Sequence, residues 1–256
     1  MSKLVNVEQD GAIARIILNR PAAFNALNAE MRRALRDAVA DVEGRDAARV
    51  VILSGAGRGF CAGADVTEQP DAPVHLILDA EYRPIFTGIA ASSKIWIAQV
   101  HGSAAGIGGA IAMACDLMTM DADATIYMAF AAIGLVPDGG ACWQLLRALG
   151  YRHALQTILE GRKITAAEAV DHGLANLAAA DGTLDAETTA LAKRLASGAP
   201  LAAAAAKRLL RQMDRLSFDE AFSREAVEQS RLAISADAAE GVAAFMARRK
   251  PSFTGE

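Results

Sequence analysis

Cysteine is scarce in this chain. Three occur in 256 residues, Cys61, Cys115 and Cys142, and no two share CxxC spacing. An odd number without ligand spacing excludes a disulfide framework and a zinc knuckle, and fits reduced thiols in a cytoplasmic protein. Excess positive charge is also missing: the formal net charge is −4, so no global field attracts nucleic acid or an anionic membrane. Long apolar runs are absent too. The stretch from Ala104 to Cys115 is broken by glycines and falls short of the roughly 20 residues that a membrane span requires. The first residues, MSKLVNVEQDGAIARI, contain no apolar leader segment, and no secretory signal is expected. The four histidines, His75, His101, His153 and His172, are scattered without metal-ligand spacing, so no metal site is expected.

What remains is a globular composition, 53% hydrophobic and 22% charged, with 21 glycines. Alternation over Ala12–Leu18 predicts a strand closed by Asn19-Arg20-Pro21. Asn28 is placed to cap a helix in which Met31, Ala34, Leu35, Ala38, Val39 and Val42 recur at helical spacing until Gly44. Further strands are expected at Val50–Leu53, Ile95–Val100, Leu117–Met120 and Thr125–Met128, with a helix over Ala110–Cys115. The repetition of strand, strand and helix with glycine-rich exits predicts an α/β chain of stacked ββα turns, mostly parallel. After about Gly198 the pattern becomes helical over Leu201–Leu216, Phe218–Ile234 and Ala236–Arg249. The expected division is therefore a core over 1–197 and a helical region over 198–256.

Two loops are candidates for chemistry. Gly59-Phe60-Cys61-Ala62-Gly63-Ala64-Asp65 comes just after a strand and is small enough to bring backbone N–H groups to a ligand, with Asp65 placed to cap the next segment of chain. Gly106-Ile107-Gly108-Gly109 opens a helix, where free N–H groups and the dipole favour negative charge. Its spacing is not the GxGxxG of dinucleotide sites. Each loop alone is a weak signal.

Together, about 40 residues apart, they resemble the crotonase (enoyl-CoA hydratase/isomerase) family. The resemblance is carried by Leu18-Asn19-Arg20-Pro21, Asn25-Ala26-Leu27-Asn28, Phe60-Cys61-Ala62-Gly63-Ala64-Asp65, the run from Gly102 to Asp116, Gly134-Leu135-Val136-Pro137-Asp138-Gly139-Gly140 and Glu240-Gly241-Val242-Ala243-Ala244-Phe245. It implies a crotonase-like spiral of ββα units and a C-terminal helical trimerisation region. A homotrimer or a dimer of trimers is implied as well. It also implies an acyl-CoA thioester substrate, with coenzyme A entering as part of the substrate and no separate cofactor, and an oxyanion hole from the N–H groups of Ala62 and Ile107. Ala23, Phe24, Gly63, Ala64, Asp65, Val66, Gly106, Phe130 and Trp143 are expected around the substrate.

The two glutamates that hydratases of the family use fall on Ala110 and Phe130, neither of which transfers a proton. Asp138 remains. Standing alone, an Asp before Gly-Gly is a turn former. In the resemblance it matches the carboxylate of the family's isomerases, and the surrounding residues are most similar to the ring-epoxide isomerase subgroup of phenylacetyl-CoA breakdown. The expectation is an isomerase with Asp138 as proton shuttle in an apolar pocket that raises its pKa. Three alternatives stand beside it: hydration through an unexpected carboxylate such as Glu68 or Glu81, a hydrolytic or substitution reaction with Asp138 as nucleophile, and a non-catalytic CoA-binding subunit. Arg248-Arg249-Lys250 is placed either to meet CoA phosphates or to form a solvated helix end.

Overall fold

The computed structural model describes residues 3–256. Strands β1 (Val5–Asp10) and β2 (Ile13–Leu18) form a hairpin, and α1 (Ala29–Glu43) leads to β3 (Val50–Gly55). A short α2 (Val74–Ile77) passes through a π-helical turn (Leu78–Tyr82) into α3 (Arg83–Ala91), followed by β4 (Ile95–Val100), β5 (Ser103–Ala105) and α4 (Gly106–Ala114). Next come β6 (Leu117–Asp121), β7 (Thr125–Tyr127), α5 (Ala141–Glu160, broken at Gly150), β8 (Lys163–Thr165), α6 (Ala166–Asp171) and β9 (Leu177–Ala179). Four helices close the chain: α7 (Leu184–Ala196), α8 (Pro200–Leu210), α9 (Phe218–Ala233) and α10 (Ala236–Met246).

Six strands form one sheet in the order β1-β2-β3-β4-β6-β9, antiparallel only at the β1–β2 hairpin. A second sheet runs β5-β7-β8. The chain thus adds strands to two sheets in turn and lays helices across them, which is the expected stacked α/β arrangement. The main core lies between the large sheet and α1, α3 and α4, around Leu35, Leu53, Phe60, Ile85 and Trp96, all fully buried. On its other face, Val50, Ile52 and Ile97 pack against Ala192 and Ala196 of α7.

The local signals act as the residues dictate. Asn28 accepts the Met31 N–H (2.9 Å) and starts α1. Ser217 and Glu220 form a reciprocal capping box at α9, as Thr165 and Glu168 do at α6. Helix α4 begins at Gly106, four residues before the expected Ala110, because the glycine-rich stretch is itself the first helical turn. The expected helix over Leu201–Leu216 stops at Leu210 and gives way to a short 3-10 turn. Lys207 of α8 is buried, with its Nζ donating to Ile89 O and Lys94 O (both 2.8 Å) and paired with Asp116 at 2.8 Å, tying the C-terminal helices to the core. No helix among the described residues is long and apolar enough to cross a membrane.

Candidate active site

Asn25 builds the first loop. It is fully buried with φ +58°, and its Nδ2 donates to the carbonyls of Ala56, Gly59 and Phe60 at 2.9–3.1 Å. Those bonds fix where the chain leaves β3 for Cys61. Cys61 and Ala104 then form a parallel bridge, with Cys61 N–H donating to Ser103 O (3.2 Å) and Ala105 N–H to Cys61 O (2.8 Å). The first loop is thereby held alongside the entry to α4. Close approach demands a missing side chain: a Cβ on Gly108 would lie 2.6 Å from the Cys61 sulfur.

The backbone then corrects one expectation. The Ala62 N–H is committed to Phe24 O at 2.9 Å, so it is not free for a ligand. Gly63 has φ +94°, a backbone turn that glycine tolerates, and a Cβ there would sit 2.8 Å from Ala105 O. After that turn the Ala64 N–H donates to no backbone acceptor among the described residues, and Ala64 lines the cavity. The Ile107 N–H, in the first turn of α4, likewise has no intrahelical partner. Ala64 and Ile107 therefore each line the cavity with an amide that has no backbone acceptor, and Ala64 takes the place expected of Ala62. Spacing alone could not decide this, because it does not say which way each N–H points.

Asp65 clasps the loop rather than facing chemistry. Its Oδ1 accepts the Thr67 hydroxyl (2.6 Å) and N–H (3.1 Å), and its Oδ2 pairs with Arg20 at 2.6 Å. The Thr67 hydroxyl, then the Arg20 guanidinium, hold its carboxyl down at about 2.

A cavity of about 560 Å³ opens between these loops, the α2–α3 segment and the 3-10 turn Ala129–Ile133. Of the expected residues it brings together Ala62, Ala64, Asp65, Val66, Gly106, Ile107, Phe130 and Asp138. Others are not brought in. Ala23 and Gly63 are not among the lining residues, Phe24 stands 45% exposed with Arg58 stacked 4.6 Å from its ring, and Trp143 is 49% exposed on α5 beneath Arg147. Residues 129–140 turn Asp138 inward, whereas Trp143 lies in the first turn of α5 and is not part of the cavity wall.

Asp138 is the carboxyl in this lining whose pKa is raised. Its Oδ1 is buried without a hydrogen-bond partner, and burial pushes its carboxyl up to about 6. Ala110 is fully buried against the next residue, Gly139, where an added Cβ would be 3.0 Å from the Ala110 Cβ. The Phe130 ring packs over Gly106.

Three further residues of the wall, Arg32, Leu78 and Tyr82, carry no expectation from the sequence, and Glu68, named there only as an alternative carboxylate, joins them. Arg32 left one trace in the sequence, a charge at helical spacing on the buried face of α1 three residues before Leu35. Tyr82 left none. Glu68 and Glu81 both pair with Arg32, at 2.7 and 2.5 Å. Burial alone would raise the Glu68 carboxyl, but the Ala29 N–H and the Arg32 guanidinium hold it below the ordinary range. Of the basic cluster at 248–250, Arg249 is tied to Glu240 at 2.6 Å.

The profile of the enoyl-CoA hydratase/isomerase family matches residues 8–256. The chain belongs to that family. It is 32% identical to the 1,2-epoxyphenylacetyl-CoA isomerase of Escherichia coli K12, covering 100% of both chains, and 36% identical to a probable enoyl-CoA hydratase of Rhodobacter capsulatus, covering 98% of both. An enoyl-CoA hydratase structure from Geobacillus kaustophilus superposes with a TM-score of 0.93 at 31% identity, over 100% of each chain. The crotonase fold is established by these relationships, and with it a place among enzymes of the hydratase/isomerase family.

Proposed function

We propose that the protein is an acyl-CoA isomerase that shifts a double bond, or rearranges a ring epoxide, through a thioester enolate. The observation that carries this reading is Asp138, a half-buried carboxyl that lines the cavity with its Oδ1 unpartnered and its pKa raised to about 6, while the positions that match the hydratase glutamates are Ala110 and Phe130. Hydration needs one group to activate water and another to protonate carbon. A double-bond shift needs only one group.

In this mechanism the thioester oxygen lies between the N–H groups of Ala64 and Ile107. Asp138 takes a proton from the carbon next to the carbonyl, the electron pair moves onto that oxygen, and the negative charge is bound more strongly than the neutral carbonyl was. Asp138 then returns the proton to the far carbon of the allylic system as the carbonyl reforms. Each amide donor is worth roughly 10²–10³ in rate. With a pKa of about 6, Asp138 is mostly ionised at neutral pH and yet a stronger base than a solvated carboxylate. Coenzyme A arrives as part of the substrate, and no separate cofactor is assigned.

One observation favours hydration as a second reading: Glu68 reaches the same cavity. Its pairing with Arg32 and its lowered pKa suit it poorly to deliver a proton, so isomerisation ranks first. The exposed apolar side chains of α9 and α10, Phe218 (81%) and Phe245 (82%) among them, support a self-associating C-terminal region and a trimer.

The test is conversion of a 3-enoyl-CoA to the conjugated 2-enoyl-CoA, monitored by ultraviolet absorbance. Asp138→Asn is expected to lower kcat by at least about 10³-fold while thioester affinity changes less than about threefold. Unchanged turnover in the variant, or rapid crotonyl-CoA hydration by a wild-type protein that does not isomerise, overturns the reading.

A further inference from the structure

Arg32 is out of place in a wall that otherwise includes Val66, Val74, Ile77, Leu78 and Phe130. It is only 5% exposed. Its Nε donates to Glu81 (2.5 Å), and its Nη1 donates to Leu27 O (3.0 Å) and Glu68 (2.7 Å). These bonds use three of the five guanidinium hydrogens. Among the described residues, Nη2 donates no hydrogen bond that meets ordinary geometry.

The guanidinium carbon lies 5.4 Å from the centroid of the Tyr82 ring. Tyr82 is 4% exposed, and its hydroxyl stands 3.5 Å from Leu27 O, a distance at which little of a hydrogen bond survives. Burial pushes the phenol well above its usual pKa, so it stays a protonated donor. Tyr82 also ends the π-helical turn Leu78–Tyr82, a rare backbone form that recurs at functional sites. Leu78, Tyr82 and Asp138 together line both this cavity and a neighbouring one of about 570 Å³. The under-used donors therefore share a wall with the candidate base.

A structural clamp between α1 and the π turn would not require this. Buried ion pairs are often no better than apolar packing, and donors left facing an apolar space are costly. A ligand oxygen removes that cost.

We infer that Arg32 Nη2 and Tyr82 Oη form a subsite for an uncharged oxygen carried on the acyl group, so that oxygenated acyl-CoA thioesters are preferred over plain alkenoyl ones. This rests on the acyl-CoA reading of the same cavity. The oxygen is uncharged because Glu68 and Glu81 already outweigh the Arg32 charge and Asp138 lies on the same wall. A hydroxyl, a ring oxygen or a carbonyl fits, and a carboxylate is repelled.

Calorimetric titration of the full chain with saturated six-carbon thioesters tests this without turnover. The probes are hexanoyl-CoA, its 4-, 5- and 6-hydroxy derivatives, and the ω-carboxylate adipoyl-CoA. At least one hydroxy thioester is expected to bind about tenfold tighter than hexanoyl-CoA, the increment of one charge-assisted hydrogen bond. Tyr82→Phe is expected to cut that preference to about threefold or less, the loss falling more heavily on the hydroxy thioester than on hexanoyl-CoA. Adipoyl-CoA is expected to bind more weakly than hexanoyl-CoA. Equal affinity for all the hydroxy probes and hexanoyl-CoA in the wild type overturns the inference, as does an equal loss for both classes in Tyr82→Phe. If Asp138→Asn keeps full isomerase activity while the hydroxyl preference holds, the mechanism fails and the subsite stands. If hexanoyl-CoA itself does not bind, the acyl-CoA reading fails and takes the subsite with it.

Discussion

Replacing Asp138 by Asn should make the protein more stable while making it inactive. The carboxyl has an ordinary pKa near 4 in the unfolded chain and about 6 in the fold, where burial disfavours its charge. The folded state therefore holds this proton more tightly than the unfolded state does. Below pH 4 both states are protonated, and the group costs nothing. As pH rises from 4 to 6 the unfolded chain ionises first, stability falls, and above pH 6 the full cost is present. About two pKa units at roughly 1.4 kcal/mol each give on the order of 3 kcal/mol as an upper limit, and partial solvation makes about 1–2 kcal/mol the working expectation. Asn keeps the shape and never carries the charge. At pH 8 the variant should melt about 2–6 °C above the wild type, a range set by the size of the chain. At pH 5, midway through the window, the gap should shrink to about half. Thermal melts monitored by circular dichroism at the two pH values measure this. An Asn variant that is less stable at pH 8, or a gap that does not narrow toward pH 5, refutes the claim that a desolvated carboxylate stands in the cavity.

Two other perturbations test the scaffold around that group. Gly63→Ala places a Cβ 2.8 Å from Ala105 O at a φ of +94°; it should cost roughly 2 kcal/mol in denaturant unfolding and lower kcat about 10²-fold by turning the Ala64 amide away from its target. Lys207→Met leaves the carbonyls of Ile89 and Lys94 unpaired and weakens the hold on Asp116, at a cost of about 3 kcal/mol in the same assay, with turnover per folded molecule unchanged.

The fold was readable wherever one local rule dominated. The spacing of Met31, Leu35, Val39 and Val42 fixed a helix, and its cap at Asn28 is where the side chain accepts the Met31 N–H. Val50–Leu53 and Ile95–Val100 became adjacent parallel strands. Residues 66–91 gave no readable pattern, and they hold the short α2, the π turn and α3, with Tyr82 and Ile85 as buried members. A π turn shifts the helical phase by a residue, so a 3.6-residue period cannot track through it. In the site, the identity of the loops was legible and the direction of their amides was not. The Ala62 N–H is spent on Phe24 O, whereas the Ala64 N–H, past the positive-φ turn at Gly63, has no backbone acceptor. Arg32 and Tyr82 escaped notice for a different reason: their importance lies in contacts between α1 and the π turn, some 50 residues apart in the chain.

The central claim is that this cavity stabilises a thioester enolate whose proton is handled by Asp138. It is tested most directly by incubating a saturated acyl-CoA in D₂O and observing the hydrogens next to the carbonyl by NMR. Wild-type protein should exchange them far faster than buffer does, and Asp138→Asn should exchange them no faster than buffer. Exchange that persists undiminished in the Asn variant would contradict the assignment of Asp138, and no exchange by the wild type would contradict the enolate itself.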